Sequence, residues 1–397
     1  MRQSRDLSLF VFVDALGWGL VEKHGFLADL LPYRQPVESV LGYSSTCVPT
    51  ILTGRMPREH GHMAFFAYDP ARSPFRRASC LAWLPSALAR RARVRRLISK
   101  ALQAWHGYTG YFQIYNVPFE TLPQLDYTEK RDLYQPGGIN GGLPTIFDHL
   151  REAGVPFSVS DWRRGDAENL QGATDAVDRG EPVFAYVYLS QLDGLLHAEG
   201  TRSPKVPERM AWYEGRLRHL VEVGRRRYRS VRLHVISDHG MADIGDTCNL
   251  MPQVDALGLR QGRDYAAVYD STMARFWFLK PGAREAITSL LREHPQGRLL
   301  SDEELRGYGA DFPDQRFGEA FFLLRPGTLL CPSHMGEKPI AGMHGYDPRH
   351  ADSLATFAST DEPERAPRRL DDLFGVMRAE ASRVGAGLGL RPAGEAA

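Results

Sequence analysis

Residues 235–241 read Val-Ile-Ser-Asp-His-Gly-Met, an apolar run that ends in an aspartate and a histidine. The run predicts a short strand, and Asp238 and His239 at its end offer a divalent metal a carboxylate oxygen and an imidazole nitrogen. Neighbouring side chains on an extended strand point to opposite faces, so we expect a turn here that aims both at one metal cluster. The stretch therefore predicts a strand that delivers metal ligands.

Other short runs have the character of buried parallel strands, because they are largely apolar rather than alternating. Helical patterns lie between them, over 145–153, which ends before Gly154, and over 207–223. This order of strands and helices predicts an α/β fold with a mainly parallel central sheet and helices on both faces. The predicted strands are 9–13, 157–159, 183–189 and 233–236.

Carboxylates follow three of these predicted strands. Asp14 comes directly after the first run, Asp193 comes four residues after Leu189, and Asp238 comes two residues after Ile236. In parallel α/β sheets, ligands bind beyond the carboxyl ends of the strands. Three separate segments are thus expected to place carboxylates at one rim of the sheet.

Histidines accompany these carboxylates. Asp193 and His197 have the i, i+4 spacing that places two side chains on one side of a helical turn. His344, in a Gly-flanked loop, is a candidate third ligand for the same metal. Taken alone, an aspartate after a strand is more often a helix cap than a ligand, but the joint occurrence favours metal binding. A second metal site would be made by Asp14, Asp238 and His239.

A hydroxyl cluster at Ser44, Ser45 and Thr46 precedes a predicted helix at 47–52. At a helix N-terminus, free backbone N–H groups and the positive end of the helix dipole help to bind a phosphate. A hydroxyl held there by a metal can act as an alkoxide nucleophile. The structural alternative is that one of the three hydroxyls caps the helix, and we expect at least one to do so.

The composition of the 397-residue chain is that of a globular protein, with 43% hydrophobic and 24% charged residues. Its formal charge of +1 gives no drive towards nucleic acid, so no specific nucleic-acid binding is expected. No apolar stretch reaches the ~20 residues needed to span a bilayer, and no secretory signal precedes the first strand. We therefore expect a cytoplasmic protein whose scattered cysteines are reduced thiols.

Residues 65–140 interrupt the α/β pattern, and we interpret them as an inserted cap over the site. The catalytic α/β domain is then formed by 1–64 and 141–385. Within that domain, 254–335 holds short strand candidates and predicts a small β-containing subdomain. Residues 386–397, rich in Gly and Ala, are predicted to be a flexible tail.

The cap contains a basic run followed by an aromatic one. Three interpretations of the basic run remain open. It is a solvated helix face, or the source of an arginine that binds phosphate oxygens bidentately, or a peripheral contact with an anionic membrane surface through 90–105. The basic residues are Arg90, Arg91, Arg93, Arg95, Arg96 and Lys100, and the aromatic residues are Trp105, Tyr108, Tyr111, Phe112 and Tyr115.

Together these motifs resemble the alkaline phosphatase superfamily, and within it the type I phosphodiesterase and nucleotide pyrophosphatase branch. The resemblance spans 7–62 and 143–347, and residues 65–140 match no pattern of the family. It implies an alkaline phosphatase-like fold. The residues that carry it are Asp14, the Ser44 segment with Leu-Thr-Gly-Arg-Met-Pro-Arg-Glu-His-Gly at 52–61, the pairs Asp193/His197 and Asp238/His239, and His-Gly-Tyr-Asp at 344–347.

The resemblance also implies a site for two divalent metal ions, most often Zn²⁺, with Mn²⁺ as the alternative. The first metal would activate the water of the second half-reaction, and the second would hold the nucleophile. The first would be bound by Asp193, His197 and His344, and the second by Asp14, Asp238, His239 and Ser44.

Family members carry the nucleophile ten residues before the glycine of a Thr-Gly motif, and counting back from Gly54 leads to Ser44. Ser45 and Thr46 are the alternatives if the loop is shifted. The implied reaction is in-line attack on phosphorus, a covalent phospho-serine and then hydrolysis.

The chain departs from the patterns of two branches. The phosphodiesterase branch usually has Thr as its nucleophile and Asn three residues later, where this chain has Ser44 and Cys47. Sulfatases need Pro at the second and Arg at the fourth position after their nucleophile, where this chain has Thr46 and Val48. A sulfatase-like hydrolase is therefore disfavoured, and the preference between monoesters and diesters stays open.

The leading expectation is a metal-dependent phosphoric ester hydrolase, a phosphodiesterase or phosphatase, acting on a small phosphorylated metabolite, a nucleotide or a lipid-linked phosphate. A phosphotransferase or mutase of the same superfamily is the alternative, because mutase relatives commonly combine manganese with a large insertion. A catalytically silent binding protein on the same fold is a third hypothesis. Metal content, turnover and release of inorganic phosphate distinguish the three.

Overall fold

The computed structural model of the chain describes residues 5–83 and 91–390. Arg90 of the predicted basic run and residues 391–397 of the predicted tail lie outside the described residues. In chain order, the strands are β1 (Asp6–Val13), β2 (Tyr33–Val37), β3 (Phe66–Tyr68), β4 (Leu125–Tyr127), β5 (Phe157–Val159), β6 (Phe184–Leu189), β7 (Ser230–Ile236), β8 (Ala242–Asp243), β9 (Asp246–Cys248), β10 (Tyr265–Tyr269), β11 (Met273–Phe278), β12 (Gly297–Leu299), β13 (Ala320–Leu324), β14 (Thr328–Leu330), β15 (Gly342–Met343) and β16 (Ala355–Ser359).

Helices connect most of these strands. The α-helices are α1 (Trp18–His24), α2 (Ser44–Thr53), α3 (Pro57–His60), α4 (Ala92–His106), α5 (Ile146–Glu152), α6 (Asp166–Arg179), α7 (Gln191–Glu199), α8 (Lys205–Arg227), α9 (Met251–Asp255), α10 (Pro281–Glu293), α11 (Asp302–Gly307) and α12 (Asp372–Ala386). Short 3₁₀ helices occupy Arg76–Trp83, Leu122–Gln124, Asn140–Gly142 and Ala351–Ser353.

The central sheet has six strands in the order β2-β16-β7-β1-β6-β5. The strands from β7 to β5 run parallel to one another, whereas β16 is antiparallel to both of its neighbours. All residues of β1 are buried, which explains why an uninterrupted apolar run, rather than an alternating one, forms this central strand. Helices α6, α8 and α12 pack against the sheet. The predicted α/β fold with a mainly parallel sheet is confirmed.

The three strands that precede the predicted ligands lie side by side. Phe12 on β1 is paired with Tyr188 on β6 and with Ile236 on β7. Because these strands are parallel and in this register, the loops that follow them begin at the same rim of the sheet.

Two predicted helices have different limits in the structure. Helix α2 begins at Ser44 rather than at Cys47, because Tyr43 is its N-cap residue and the Thr46 hydroxyl accepts the Tyr43 N–H at 3.4 Å. Helix α8 extends beyond the predicted 207–223 at both ends. Helix α5 is bounded as the pattern at 145–153 predicts, because Thr145 accepts the Asp148 N–H in a capping box.

A second, four-stranded antiparallel sheet has the order β10-β11-β13-β12. At its centre, the fully buried Arg275 is paired with Asp270 at 2.7 Å. Its guanidinium also donates to the carbonyl oxygens of Phe66 and Phe317. A buried charge is tolerated when it is paired and hydrogen-bonded in this way, so Arg275 ties the segment around β3 to the second sheet.

The segment between β3 and β4 carries a small aromatic core of its own. Phe75, Phe112 and Phe119 belong to this core, which packs against Val268 and Trp277 of the second sheet. The segment is therefore anchored on strands β10 and β11. Among the described residues, none of the helices combines the length and the apolar character that crossing a bilayer requires.

Candidate active site

The six carboxylates and histidines among the seven predicted metal-ligating residues converge at the rim of the central sheet. They form two groups, and within each group one potential ligand atom of every residue lies within 4.8 Å of the others. Asp14, Asp238, His239 and His344 are each at most 6% exposed. The first group contains Asp193, His197 and His344, and the second contains Asp14, Asp238 and His239.

Hydrogen bonds orient the carboxylates of the second group. Oδ1 of Asp238 accepts the backbone N–H groups of Ala15 at 3.2 Å and His239 at 3.0 Å. Oδ2 of Asp14 accepts the hydroxyl of Tyr188 at 2.7 Å. Each carboxylate thus has one oxygen held by the protein and one oxygen left to face the site.

Backbone carbonyls orient two of the histidines. Nδ1 of His239 lies 2.9 Å from the Gly240 carbonyl oxygen, and Nδ1 of His197 lies 2.8 Å from that of Gly342. A ring N–H that donates to a carbonyl directs the other nitrogen, Nε2, into the site, as is usual for metal-ligating histidines. The ring of His344 stacks on that of His239 with 3.6 Å between centroids.

Both glycines that follow a site histidine are required by close contacts. A Cβ on Gly240 would lie 2.3 Å from the Asp352 carbonyl oxygen. Gly345 has a φ of +89°, and a Cβ there would lie 2.6 Å from the ring of Tyr43. The His-Gly pairs of the sequence therefore reflect tight turns that bring His239 and His344 to the rim.

Three buried carboxylate oxygens of the site face imidazole nitrogens without a hydrogen bond. Oδ1 of Asp14, Oδ1 of Asp193 and Oδ2 of Asp238 accept no hydrogen bond, although each is buried. Such atoms are costly unless something else binds them, and carboxylate oxygens beside imidazole nitrogens are the ligands that zinc prefers. The two groups therefore fit divalent metal ions.

The electrostatics lead to the same conclusion. Burial, together with the neighbouring charges of Asp238 and Asp193, raises the pKa of Asp14 well above its ordinary value. Burial lowers the pKa of His239, but the charges of Asp238, Asp14 and Asp193 outweigh it and raise this pKa to about 10. The site concentrates negative charge that a cation would balance.

Ser44 lies next to these groups as the first residue of α2. Its Oγ is 3.0 Å from Nε2 of His239. Ser45 is 7% exposed, and its Oγ has no hydrogen-bond partner. Thr46 is fully buried, and its hydroxyl is bonded to the Met63 carbonyl as well as to the Tyr43 N–H. Thr46 is therefore the hydroxyl that caps the helix, which leaves Ser44 and Ser45 facing the site.

A cavity of about 450 Å³ opens over the two groups. Ser44, Ser45 and four members of the ligand groups line one side of it. The rest is lined by aromatic rings, by aliphatic and methionine side chains, and by the buried carboxyls of Glu129 and Asp270. We call one part of this lining the aromatic wall, and it consists of Phe65, Tyr111, Tyr115, Glu129, Tyr134 and Trp162.

A family model described as type I phosphodiesterase / nucleotide pyrophosphatase matches residues 9–347. The chain belongs to this family. It is accordingly a hydrolase that acts on phosphoric ester bonds, and the family is metal-dependent. No curated protein matches the chain in sequence.

Solved structures show the same fold at low sequence identity. Murine ectonucleotide pyrophosphatase/phosphodiesterase 5 is 16% identical with a TM-score of 0.68, and the match covers 95% of each chain. An inactive form of that protein in complex with AMP is 16% identical with a TM-score of 0.66, covering 96% of this chain and 95% of the other. Phosphonoacetate hydrolase from Sinorhizobium meliloti 1021, in complex with phosphonoacetate, is 14% identical with a TM-score of 0.64, covering 95% and 96%.

The cavity lining bears on one of the three interpretations of the basic run, in which an arginine of the cap binds the phosphate oxygens bidentately. No arginine or lysine lines the cavity among the described residues. Arg95 instead donates to the carbonyls of Tyr115 and Val117, because its helix turns this side chain into the core of the inserted segment. Cys47, at the Asn position, is buried against the Ser39 hydroxyl.

His60 and His62, which follow the Thr-Gly motif, are buried outside both ligand groups. Nε2 of His60 lies 3.0 Å from the Thr50 hydroxyl, and Nε2 of His62 accepts the Asn140 N–H at 2.9 Å. These contacts hold the connection after α2 in place, so both residues are structural.

No sequence pattern identifies the aromatic wall as a unit. Burial is the main cause that raises the pKa of Glu129 to about 8, and its Oε1 accepts the Tyr111 N–H at 3.2 Å. Trp162 comes three residues after the end of β5, at the same rim as Asp14 and Asp193. That position after a parallel strand is a signal that could have identified Trp162, whereas Glu129 has no comparable signal.

Proposed function

We propose that this phosphodiesterase-family chain hydrolyses an ester of a small phosphorylated compound through a covalent phospho-serine on Ser44. The observation that carries the proposal is the position of the Ser44 hydroxyl. It lies at the start of α2, 3.0 Å from Nε2 of His239, in the cavity that both groups of carboxylates and histidines border. The AMP and phosphonoacetate bound by the structural relatives support a small phosphorylated substrate.

The metal ions in this proposal are two Zn²⁺, because a mixture of imidazole and carboxylate ligands suits zinc. Bound zinc would polarise the phosphoryl oxygens and stabilise the attacking and leaving oxygens. The first ion would be held by Asp193, His197 and His344, and the second by Asp14, Asp238, His239 and Ser44.

The chain's own residues supply the nucleophile and its orientation. Ser44 gives up its hydroxyl proton as Oγ bonds to phosphorus, and the bond from phosphorus to the ester oxygen breaks, so that the alcohol leaves with a proton. Water then attacks phosphorus on the Ser44 ester, which releases phosphate or a phosphomonoester and restores the hydroxyl. The hydrogen bonds to Asp14, Asp238 and His239 keep these side chains in place throughout.

Ser45 is proposed as a donor to the non-bridging phosphate oxygens. Its buried hydroxyl has no partner in the protein and lines the cavity beside Ser44. The backbone N–H groups of Ser44 and Ser45, at the start of α2, are further donors in this proposal, because the first N–H groups of a helix have no acceptor within it. These donors take the place of the Asn that the family usually carries three residues after its nucleophile, where this chain has Cys47.

The test combines metal analysis with turnover of nitrophenyl phosphate and bis-nitrophenyl phosphate. The wild type is expected to contain two zinc ions, and Ser44→Ala is expected to lose about 10⁴-fold or more in kcat/KM, the scale seen when a nucleophile is removed. Ser382→Ala, on the exposed outer side of α12, is the matched control and is expected to keep full activity.

Three outcomes would change the proposal. Full activity of Ser44→Ala would move the nucleophile to Ser45. Consumption of the ester without release of inorganic phosphate from the monoester would favour a phosphotransferase or mutase, the alternative that the inserted segment over the cavity keeps open. A wild type without metal and without turnover would indicate a silent binding protein.

A further inference from the structure

Helix α4 has an inner face that the inserted segment buries. Arg95 and Ser99 are 7% and 3% exposed, and Ile98 and Leu102 pack against the aromatic core of this segment. Nη1 of Arg95 donates to the Tyr115 carbonyl at 2.7 Å. These four side chains recur at helical spacing, so they fix which side of α4 faces outward.

The outward face of α4 carries an apolar stripe. Leu97 is 68% exposed and Trp105 is 71% exposed, and Ala101 lies between them. Their i, i+4, i+8 spacing aligns all three on one side of the helix, over about 12 Å. Single exposed apolar residues are ordinary, but an exposed Trp in line with an exposed Leu on one helix indicates an interaction surface.

Cations flank this stripe on one side. Arg93, Arg96 and Lys100 are exposed at i, i+3, i+7 spacing, and none forms an ion pair with another described residue within 4.0 Å. Residues 91–106 contain no Asp or Glu. The cations are therefore uncompensated on their own helix and are available to an anionic partner.

We propose that this face of α4 docks on an anionic phospholipid bilayer. Leu97 and Trp105 would enter the boundary between headgroups and acyl chains, where Trp is favoured, and Arg93, Arg96 and Lys100 would contact lipid phosphates. The exposed cations complement a bilayer surface that carries many anionic headgroups. The apolar stripe has only two large side chains, which suits shallow insertion into a bilayer better than binding in a shaped protein pocket.

The docked helix would be joined directly to the segment that lines the active-site cavity. The chain leaves α4 at Gly107 and continues into the segment that contributes Tyr111 and Tyr115 to the aromatic wall. Arg95 joins the inner face of α4 directly to Tyr115. The inference itself does not depend on the reaction in the cavity.

Co-sedimentation of the full chain with vesicles tests the proposal. The wild type is expected to bind vesicles of phosphatidylcholine mixed with phosphatidylglycerol, and not vesicles of phosphatidylcholine alone. Binding should weaken as salt is added, because exposed charges are screened. The double variants Leu97→Ser/Trp105→Ser and Arg96→Glu/Lys100→Glu are each expected to lower the partition coefficient about 10-fold or more.

The matched control is Leu257→Ser/Arg226→Glu, which changes an exposed leucine and an exposed arginine elsewhere. It is expected to bind as the wild type does. All variants should keep the wild-type melting temperature and turnover of a soluble nitrophenyl ester, because none of these positions lines the cavity. Blue-shifted tryptophan fluorescence on binding, lost in Trp105→Phe, would support insertion of this side chain.

Two results would overturn the proposal. One is a wild type that does not bind the anionic vesicles, or double variants that bind them as tightly as the wild type. The other is self-association in sedimentation velocity that the same double variants abolish, with no difference in vesicle binding, since this would assign the face to a second copy of the chain.

Discussion

The two sides of the active-site cavity are built in different ways. On one side, Asp14 and Asp238 come from loops after parallel strands of the central sheet, and Asp193 comes from the first turn of α7. Backbone and hydroxyl groups orient the Asp14 and Asp238 carboxylates. On the other side, the aromatic wall comes largely from the inserted segment, and its rings mostly pack against one another. One side offers ligand atoms at set positions, and the other offers ring faces and the buried carboxyl of Glu129.

This difference assigns the reaction to one side of the cavity and the recognition of the substrate to the other. The reacting phosphorus must lie where Ser44 and the two ligand groups can reach it, so that side determines the rate of the reaction. The organic part of the ester then extends towards the aromatic wall, where apolar burial and stacking determine affinity. We therefore expect substitutions on the first side to lower kcat, and substitutions on the aromatic wall to raise KM.

After Ser44→Ala, the largest loss of activity is expected for Asp238→Asn. Asn cannot supply the anionic oxygen that the buried Oδ2 of Asp238 offers, so the variant should lose one of two metal ions and about 10³-fold in kcat. Metal analysis and turnover of bis-nitrophenyl phosphate measure both. Asp243→Asn, five residues later and outside both ligand groups, should retain both metals. Two metals in Asp238→Asn would contradict its assignment as a ligand.

A smaller loss is expected for Ser45→Ala. Removing one hydrogen-bond donor to a charged phosphate should lower kcat/KM about 10- to 100-fold and leave metal content unchanged. Ser190→Ala, which removes another hydroxyl that lines the cavity, is the matched control and should lose much less. Equal losses in the two variants would remove Ser45 from the phosphate site.

On the aromatic wall, Trp162→Ala should raise KM for nitrophenyl esters about 3- to 10-fold with little change in kcat, because a stacking surface is lost. Trp212→Ala is a matched control, since Trp212 is also half-buried and stacked by arginines but lies on α8, outside the cavity lining. A fall in kcat for Trp162→Ala, with KM unchanged, would break the proposed division between the two sides.

The smallest effect on activity, and a distinct effect on stability, is expected for Glu129→Gln. The unfolded chain releases the Glu129 proton near its ordinary pKa of 4.5, whereas burial holds the pKa at about 8 in the folded chain. The folded state binds more protons between these values, so stability should fall as pH rises from about 4.5 to about 8. Over this range, each pH unit lowers the free energy of unfolding by about 1.4 kcal/mol.

Gln has no proton to lose, so Glu129→Gln should show a flatter dependence of melting temperature on pH than the wild type. The control is Glu214→Gln, because Glu214 also accepts a backbone N–H, from Leu27, but lies on α8. It should follow the wild-type curve. Parallel curves for wild type and Glu129→Gln would show that Glu129 does not carry the raised pKa.

Local sequence was sufficient to predict the four parallel strands of the central sheet, but not β2 and β16, and it predicted the residues that gather at the strand ends. An apolar run buried on both faces looks the same wherever it lies in the chain, and Asp14 and Asp238 follow such runs within two residues. The Asp193/His197 spacing likewise depends only on the geometry of a helical turn. The structure places the ligands that follow β1, β6 and β7 together because these strands are parallel neighbours. His344 joins them from the end of β15, which lies outside the central sheet.

Contacts between segments far apart in the chain decided the features of the site that local sequence did not predict. That Thr46 caps α2 and leaves Ser44 and Ser45 facing the site depends on the Met63 carbonyl and on where the helix begins. The exclusion of Arg95 from the phosphate site depends on which face of α4 packs inward.

The burial of Glu129 also could not be predicted from local sequence. Its buried position depends on how the inserted segment folds over the second sheet. By itself, the sequence determined which residue types follow which strands, because that pattern is periodic and local. Only the tertiary structure decided which of the remaining polar side chains face the substrate, because burial and hydrogen-bond partners are set by residues far apart in the chain.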